Sequence, residues 1–210
     1  NCVMFLDADD ELLEDCLGDM LKILKEEKAD IVAGRNFGDC CTLDTENGIQ
    51  IWRNSDSLKN SLMDNPFTYS AWAKLFRRDC IGNTRFQSNI KINEDSYFVF
   101  EIICKQPVFV CVDKQIYLYR NTPESASRAT FSEKYFDILR VADMKYKLIE
   151  IAFPQLLELA KNMQLKAKMN LLHILALRTG NEYHSLEKEL ISWIRKNKKY
   201  YISATKADDK

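Results

Sequence analysis

The sequence predicts an α/β chain that gives way to helix alone in its last third, and three observations carry this. An apolar run, Val3-Met4-Phe5-Leu6, passes straight into Asp7-Ala8-Asp9-Asp10, the pattern of a strand buried on both faces of a sheet. A second apolar run, Ile31-Val32-Ala33, lies beyond an amphipathic stretch, giving the strand–helix–strand order of α/β proteins. From Ser132 onward apolar residues recur only at helical spacing.

The opening run would end at the three carboxylates, and in open α/β sheets ligands collect just beyond the carboxyl ends of strands. Like charges so clustered are costly unless something positive meets them. One such partner is a divalent cation with a phosphorylated ligand, since magnesium is typically held by one or two carboxylates plus phosphate oxygens. Asp10 and Glu11 have a simpler reading as acids that favour the start of the next helix. That reading leaves Asp7 and Asp9 over.

After the acids, Leu12, Leu13, Cys16, Leu17, Met20, Leu21 and Leu24 mark an amphipathic helix of about four turns, with acids early and lysines late. Residues 29–34 read as the second buried strand, 36–50 as a loop and 49–53 as a short strand. Ser55 or Asp56 would cap a short helix running to Met63 and ended by Pro66. Asn93 would cap a helix running to Cys104, placing Glu94 and Asp95 in its first turn. Residues 108–112 and 116–120 read as two strands joined by a turn at Asp113-Lys114-Gln115. Helices are expected at about 132–151, 154–178 and 185–198, started by Ser132, Pro154 and Ser185 and stopped by Gly180. A boundary is therefore expected near residue 130, with a helical region over 131–203 and a frayed tail over 204–210.

Composition narrows the function classes. The chain has 210 residues, 46% of them apolar and 29% charged, enough for a real core. A net charge of −1 gives no global field for nucleic acid. The charge is unevenly spread: residues 1–50 hold 13 acids against 4 bases, whereas residues 151–210 hold 6 acids against 11 bases. Seven cysteines without C-x-x-C spacing, and only His173 and His184, argue against structural zinc and fit a reducing cytoplasm. No signal peptide or membrane-spanning run is visible. The chain opens inside a strand with no turn before it, which reads as a fragment.

Four stretches, in order, resemble glycosyltransferase family 2, the inverting family with the nucleotide-diphospho-sugar transferase (GT-A) fold. Phe5-Leu6-Asp7-Ala8-Asp9-Asp10 with Glu11-Leu12 is similar to the family's D-x-D motif and the helix after it. Trp72-Ala73-Lys74-Leu75-Phe76-Arg77-Arg78 resembles the W-x-K-L-hydrophobic-R stretch of its bacterial surface-polysaccharide members. Asn93-Glu94-Asp95-Ser96-Tyr97-Phe98 resembles its E-D motif. Val112-Asp113 through Tyr117-Leu118-Tyr119-Arg120, with Ser125 and Ser127 beyond, resembles its closing strand pair. Singly these motifs are weak, but together and in order they are strong.

The resemblance implies the C-terminal part of a GT-A mixed sheet with flanking helices over residues 1–130, bearing the metal and acceptor half, followed by an all-helical extension. It implies transfer of a sugar from a nucleotide-diphospho-sugar to an acceptor hydroxyl, saccharide or lipid-linked, with inversion. The cofactor would be Mn2+ or Mg2+, held by Asp9 with Asp7 at the metal or nucleotide. Asp95 would be the general base and Glu94 would orient it or the acceptor. Trp72 would offer a platform to a sugar ring, and Lys74 or Arg120 a positive charge near acceptor or phosphate. The family's nucleotide-binding half precedes the D-x-D strand, so these residues alone are expected to be inactive, with residues 3–6 left as an apolar sheet edge.

Other readings stay open at this point. Glu94 and Asp95 are equally helix N-terminal acids, and Trp72 and Phe76 core anchors. His173 reads as a packed helix residue and the Tyr117/Tyr119 pair as one face of a half-buried strand. A haloacid-dehalogenase-like phosphatase also places D-x-D after a buried strand, but it wants Thr or Val where Glu11 stands, and Gly38-Asp39 with Asp44 is a poor version of its second motif. A non-catalytic module is the remaining class, docking through the apolar stripe Leu156, Leu159, Ala160, Met163, Ala167 and Leu171. The basic run Arg195-Lys196-Asn197-Lys198-Lys199 with Tyr200 and Tyr201 would suit peripheral contact with the inner face of a membrane.

Overall fold

The computed structural model describes residues 1–36, 43, 45, 47–120, 131–180 and 182–201. They fall into two compact units, one of residues 1–61, 65–86 and 98–123, the other of 62–64, 87–97 and 124–210.

The first unit is built on a mixed sheet. Its strands among the described residues are β1 (Cys2–Met4), β2 (Glu11–Leu12), β3 (Ile31–Asn36), β4 (Ile49–Trp52), β5 (Lys74–Arg77) and β6 (Phe109–Leu118). The order is β1-β5-β3-β6-β2, with β4 also on β6. β3 runs parallel to β6 and antiparallel to β5, and its first four residues are buried, as the apolar run requires. Gly34 is forced at its position, because a Cβ there would lie 2.6 Å from Cγ1 of the buried Ile116.

α1 (Cys16–Glu26) turns Cys16, Met20 and Leu24 onto the sheet, where they join Val32, Leu75, Val110, Ile116 and Tyr117 in one apolar cluster. α2 (Asp56–Leu62), α3 (Arg78–Ile81) and α4 (Glu94–Ile103) follow.

In this unit the structure corrects the sequence reading at four places. β1 is the sheet edge that the sequence reading expected, among the described residues, but it is not buried on both faces: it pairs with β5 and is exposed at Cys2 and half-buried at Val3 and Met4. The helix does not start at the acids. Glu11 and Leu12 instead pair with Leu118 and Tyr117, Leu13 N–H continues the ladder to Ile116 O, and α1 opens only after Asp15 at φ 59°. Ladder bonds to a distant strand override the local helical pattern here.

The expected turn at Asp113-Lys114-Gln115 is also absent, since β6 runs through it as one strand. Cys111 pairs with Ala33 and Gln115 with Arg35, so β6 carries extra residues in this interval as a bulge. The bulge is pinned from both sides: Arg35 ion-pairs with Asp113, and Asp113 N–H donates to Gly48 O at 2.7 Å. Finally, Pro66 does not merely end α2 but opens a 3-10 turn, Pro66–Thr68, capped by Asn65 Oδ1 accepting from Phe67 N–H.

The second unit contains α5 (Asp137–Ala152), α6 (Leu157–Arg178) and α7 (His184–Asn197), the first two entered through 3-10 turns at Glu133–Phe136 and Pro154–Leu156. The expected periodicity is met. Tyr135, Ile138, Leu171, Leu175 and Leu190 form one buried cluster, and Ile90, Tyr97 and Val141 another. Of the apolar stripe on α6, Leu156, Ala160, Met163 and Leu171 are buried. His173, read as packed, is exposed on α6. The tail 204–210, Ser125, Ser127, and Gly38, Asp39 and Asp44 of the phosphatase reading all lie outside the described residues.

Candidate functional site

The D-x-D corner begins where β1 ends. Phe5 makes a single parallel bridge with Trp72, and its ring meets those of Phe76, Phe86 and Phe98 edge-on at 5.3–5.9 Å between centroids. This aromatic socket fixes the end of the strand, and the chain then turns, with Asp10 N–H donating to Asp7 O at 3.2 Å.

The three acids divide sharply. Asp7 and Asp9 are exposed, whereas Asp10 is only 8% exposed. Its carboxylate accepts from the Tyr117 hydroxyl at 2.6 Å and from Arg120 N–H at 2.9 Å. The same hydroxyl accepts from Asp7 N–H at 3.3 Å. Tyr117 thus ties both ends of the acidic turn to β6. Burial, and then the bond to Asp10, push its phenol well above the usual tyrosine range, so it stays a donor.

Trp72 stacks on Tyr117 at 4.7 Å with planes 19° apart and lies tilted over Tyr119 at 6.3 Å. One face of the expected sugar platform is therefore occupied by Tyr117. Tyr119 N–H donates to Asn36 Oδ1 at 2.9 Å, and the half-exposed Arg120 guanidinium pairs with Glu11. Lys74 is 2% exposed. Its ammonium donates to Ser70 Oγ at 3.3 Å and reaches Trp72 O at 3.5 Å. It lines an open cleft with Gly34, Asn36, Phe67, Ser70 and Trp72. Of the two cations expected near substrate, Arg120 is the one that reaches solvent.

No group of three metal-ligating side chains occurs among the described residues. The donor chemistry of the corner still fits a divalent cation of the kind that takes one or two carboxylates and completes its shell with phosphate oxygens and water. Asp7 and Asp9 are both exposed on one short turn, and Asp10, which would over-crowd it with charge, is committed to Tyr117 and Arg120.

The expected acid pair lies in the second unit. Glu94 and Asp95 occupy the first turn of α4, half-buried, with Asn93 ahead of them at φ 67° and Tyr97 N–H donating to Asn93 O. Their neighbour Ser96 is buried and accepts from Lys145 Nζ of α5 at 2.6 Å. Sequence reasoning passed over Asp10, Tyr117 and Lys145 as functional supports. The one local signal was polar residues in apolar settings: a Tyr in an otherwise buried strand, and a Lys at an apolar position of α5.

Residues 1–83 match the sequence profile of Glycosyl transferase family 2. No curated protein matches the chain. Among solved structures, it superposes on Staphylococcus aureus TarS 1-349 with a TM-score of 0.56 at 14% identity, covering 93% of this chain and 64% of that one. Against TarS 1-349 in complex with UDP-GlcNAc the TM-score is 0.52 at the same identity, covering 93% and 65%. The chain thus spans less than two thirds of these proteins, and at this identity what is shared is the fold: a mixed GT-A sheet with flanking helices and a helical C-terminal part. The family resemblance thus covers residues 1–83, where the D-x-D turn and the Trp72–Lys74 stretch lie, and the likeness to the solved structures adds the fold.

Proposed function

We propose that this chain serves an inverting, metal-dependent glycosyltransferase that moves a sugar from a nucleotide-diphospho-sugar to an acceptor hydroxyl in cell-surface polysaccharide synthesis. The observation that carries the reading is the acidic turn, with Asp7 and Asp9 both exposed while the Tyr117 hydroxyl and Arg120 N–H hold the buried Asp10. The UDP-GlcNAc bound by TarS makes a UDP-sugar the first donor to try.

Asp9, with Asp7, would hold Mn2+ or Mg2+, which when bound supplies positive charge to the diphosphate leaving group. Arg120, at the end of β6, would add its charge on the same corner. Asp95 would take the proton of the acceptor hydroxyl as its oxygen attacks the anomeric carbon, the bond from that carbon to the diphosphate breaks, and configuration inverts. Glu94 would orient the acceptor. Residues 1–130 would thus supply the metal and acceptor side of the site.

Calorimetric titration of UDP into the full-length protein that carries this sequence tests the reading. Binding should require Mn2+ or Mg2+ and weaken at least tenfold in Asp9→Ala, in keeping with the charge removed from a diphosphate site. Metal-independent UDP binding that Asp9→Ala leaves unchanged would end it. Phosphoester hydrolysis lost in Asp7→Asn would favour the phosphatase instead.

A peripheral membrane role is supported by one feature: α7 ends on Arg195 and Lys196, followed by Lys198 and Lys199, all exposed. No helix among the described residues is long and apolar enough to cross a membrane. Basic clusters of this kind are drawn to anionic lipid at the cytoplasmic face. Co-sedimentation with vesicles containing phosphatidylserine, absent with neutral vesicles, is the expected result.

A further inference from the structure

Residues 87–97 are gripped by α5 at several points, and one of these is a buried charge that packing alone does not require. Val141, with Met144 and Leu148 beside it, packs on Ile90 and Tyr97. Lys91 N–H donates to Asp137 Oδ2 at 2.7 Å, and the Arg140 guanidinium donates to Asn89 O at 2.9 Å. Lys145 completes the series at 6% exposure, donating to Ser96 Oγ, itself 6% exposed, at 2.6 Å.

Positions 141, 144, 145 and 148 form a single face of a helix, so Lys145 stands where an apolar residue would serve the core. Burying an ammonium costs free energy that its bonds only partly return, and an apolar residue of the same volume is often as stable or more so. A lysine there donates a bond that Leu or Met could not. What it touches is the residue next to Asp95.

We propose that Lys145 is a positioning residue for sugar transfer: by holding Ser96 it fixes the first turn of α4, and with it the carboxylate of Asp95. Consecutive Cα atoms are about 3.8 Å apart, so a Ser96 side chain locked to α5 leaves the Asp95 backbone little freedom. A catalytic group displaced by about 1 Å loses on the order of 10²-fold in rate. On this account the helical region is a working part of the acceptor side and not an appendage. The inference rests on Asp95 being the base.

The test uses Lys145→Met, Ser96→Ala and the double variant in the full-length protein, assayed by UDP release from the UDP-sugar it turns over fastest. Each single variant should lower kcat about 10- to 100-fold, leaving the donor KM and UDP affinity within twofold. The double variant should be no worse than the worse single one, because both cut the same link. Amide exchange over residues 94–97 should accelerate at least tenfold in both, while α6 and α7 keep their protection. Ser96→Ala removes one hydroxyl and keeps the question answerable if Lys145→Met fails to fold. Folded variants with kcat within twofold of the parent, or losses that multiply in the double variant, overturn the proposal. Turnover that survives Asp95→Asn removes the base reading itself. Exchange at 94–97 then still judges whether Lys145 holds the turn, and unchanged exchange refutes that as well.

Discussion

The two acidic turns of this molecule are built on opposite principles. In the D-x-D corner, acids of a single turn are separated by burial: Asp10 is sunk under Tyr117 and Arg120 N–H, and Asp7 and Asp9 are left exposed. At the start of α4 neither acid is sunk. Glu94 and Asp95 are both half-buried in a helical first turn, and the neighbour Ser96 takes the buried bond, to Lys145. On the proposed function the first arrangement would serve as a shelf for a cation, with Asp10 as its foundation. The second leaves both carboxylates half-buried and ties down the residue alongside. If the proposed roles hold, the difference is the expected one, since a metal site tolerates exchange of water and phosphate around fixed charges, whereas a base must meet one proton in one place.

Asp95→Asn draws the contrast hardest. The amide keeps the shape and the helix but cannot take a proton, so turnover should fall by about 10² to 10⁴, with metal-dependent UDP binding unchanged. Rate and affinity falling together would place Asp95 on the donor side and erase the division of labour between the two turns. Asp9→Ala is its mirror image, striking affinity first.

Asp10→Ala comes next in size and strikes the foundation. It strands one buried donor, the Tyr117 hydroxyl, and one part-buried one, Arg120 N–H, for about 2 kcal/mol of stability. Because the same tyrosine holds Asp7 N–H, metal-dependent UDP affinity should drop in a protein that still folds. A loss confined to the melting temperature, with affinity intact, would mean that the turn holds its shape without Asp10.

How much of this the sequence discloses follows from the range of the interactions. The exposed acids are legible because the signal, an apolar run meeting carboxylates, is complete within eight residues. α5, α6 and α7 are legible because periodicity is local too. The role of Asp10 is not, since its partners lie 107 and 110 residues away, and nothing near Asp10 distinguishes a foundation from a helix-start acid. Asp113-Lys114-Gln115 misleads for the same reason. Three polar residues between apolar runs resemble a turn until Arg35, 78 residues upstream, is seen to hold Asp113 in the sheet. That same bond keeps the Asp113 carboxyl below the usual carboxylate range. Lys145 escapes notice because a lone lysine in an amphipathic helix normally reaches solvent, and a partner that holds this one inside, Ser96, lies 49 residues away.

Tyr117→Phe is the smallest cut and the most specific. It leaves Asp10 its bond from Arg120 N–H, keeps the ring under Trp72, and removes only the hydroxyl, for about 1 kcal/mol. Its signature is in the pH dependence. Burial and the bond to Asp10 hold the Tyr117 proton more tightly in the folded protein than in the unfolded chain, where the ordinary value is 10.0. The folded state therefore binds more protons above that pH, so the contribution of Tyr117 is fully present below about pH 10 and is lost as the pH rises further. Denaturant unfolding between pH 8 and 11 should show the parent losing stability more steeply than Tyr117→Phe above pH 10, with the two curves parallel below it. Parallel curves across the whole range would mean that the phenol is not the tie between the acidic turn and β6, and the D-x-D corner would then owe its shape to Arg120 N–H and the Phe5 socket alone.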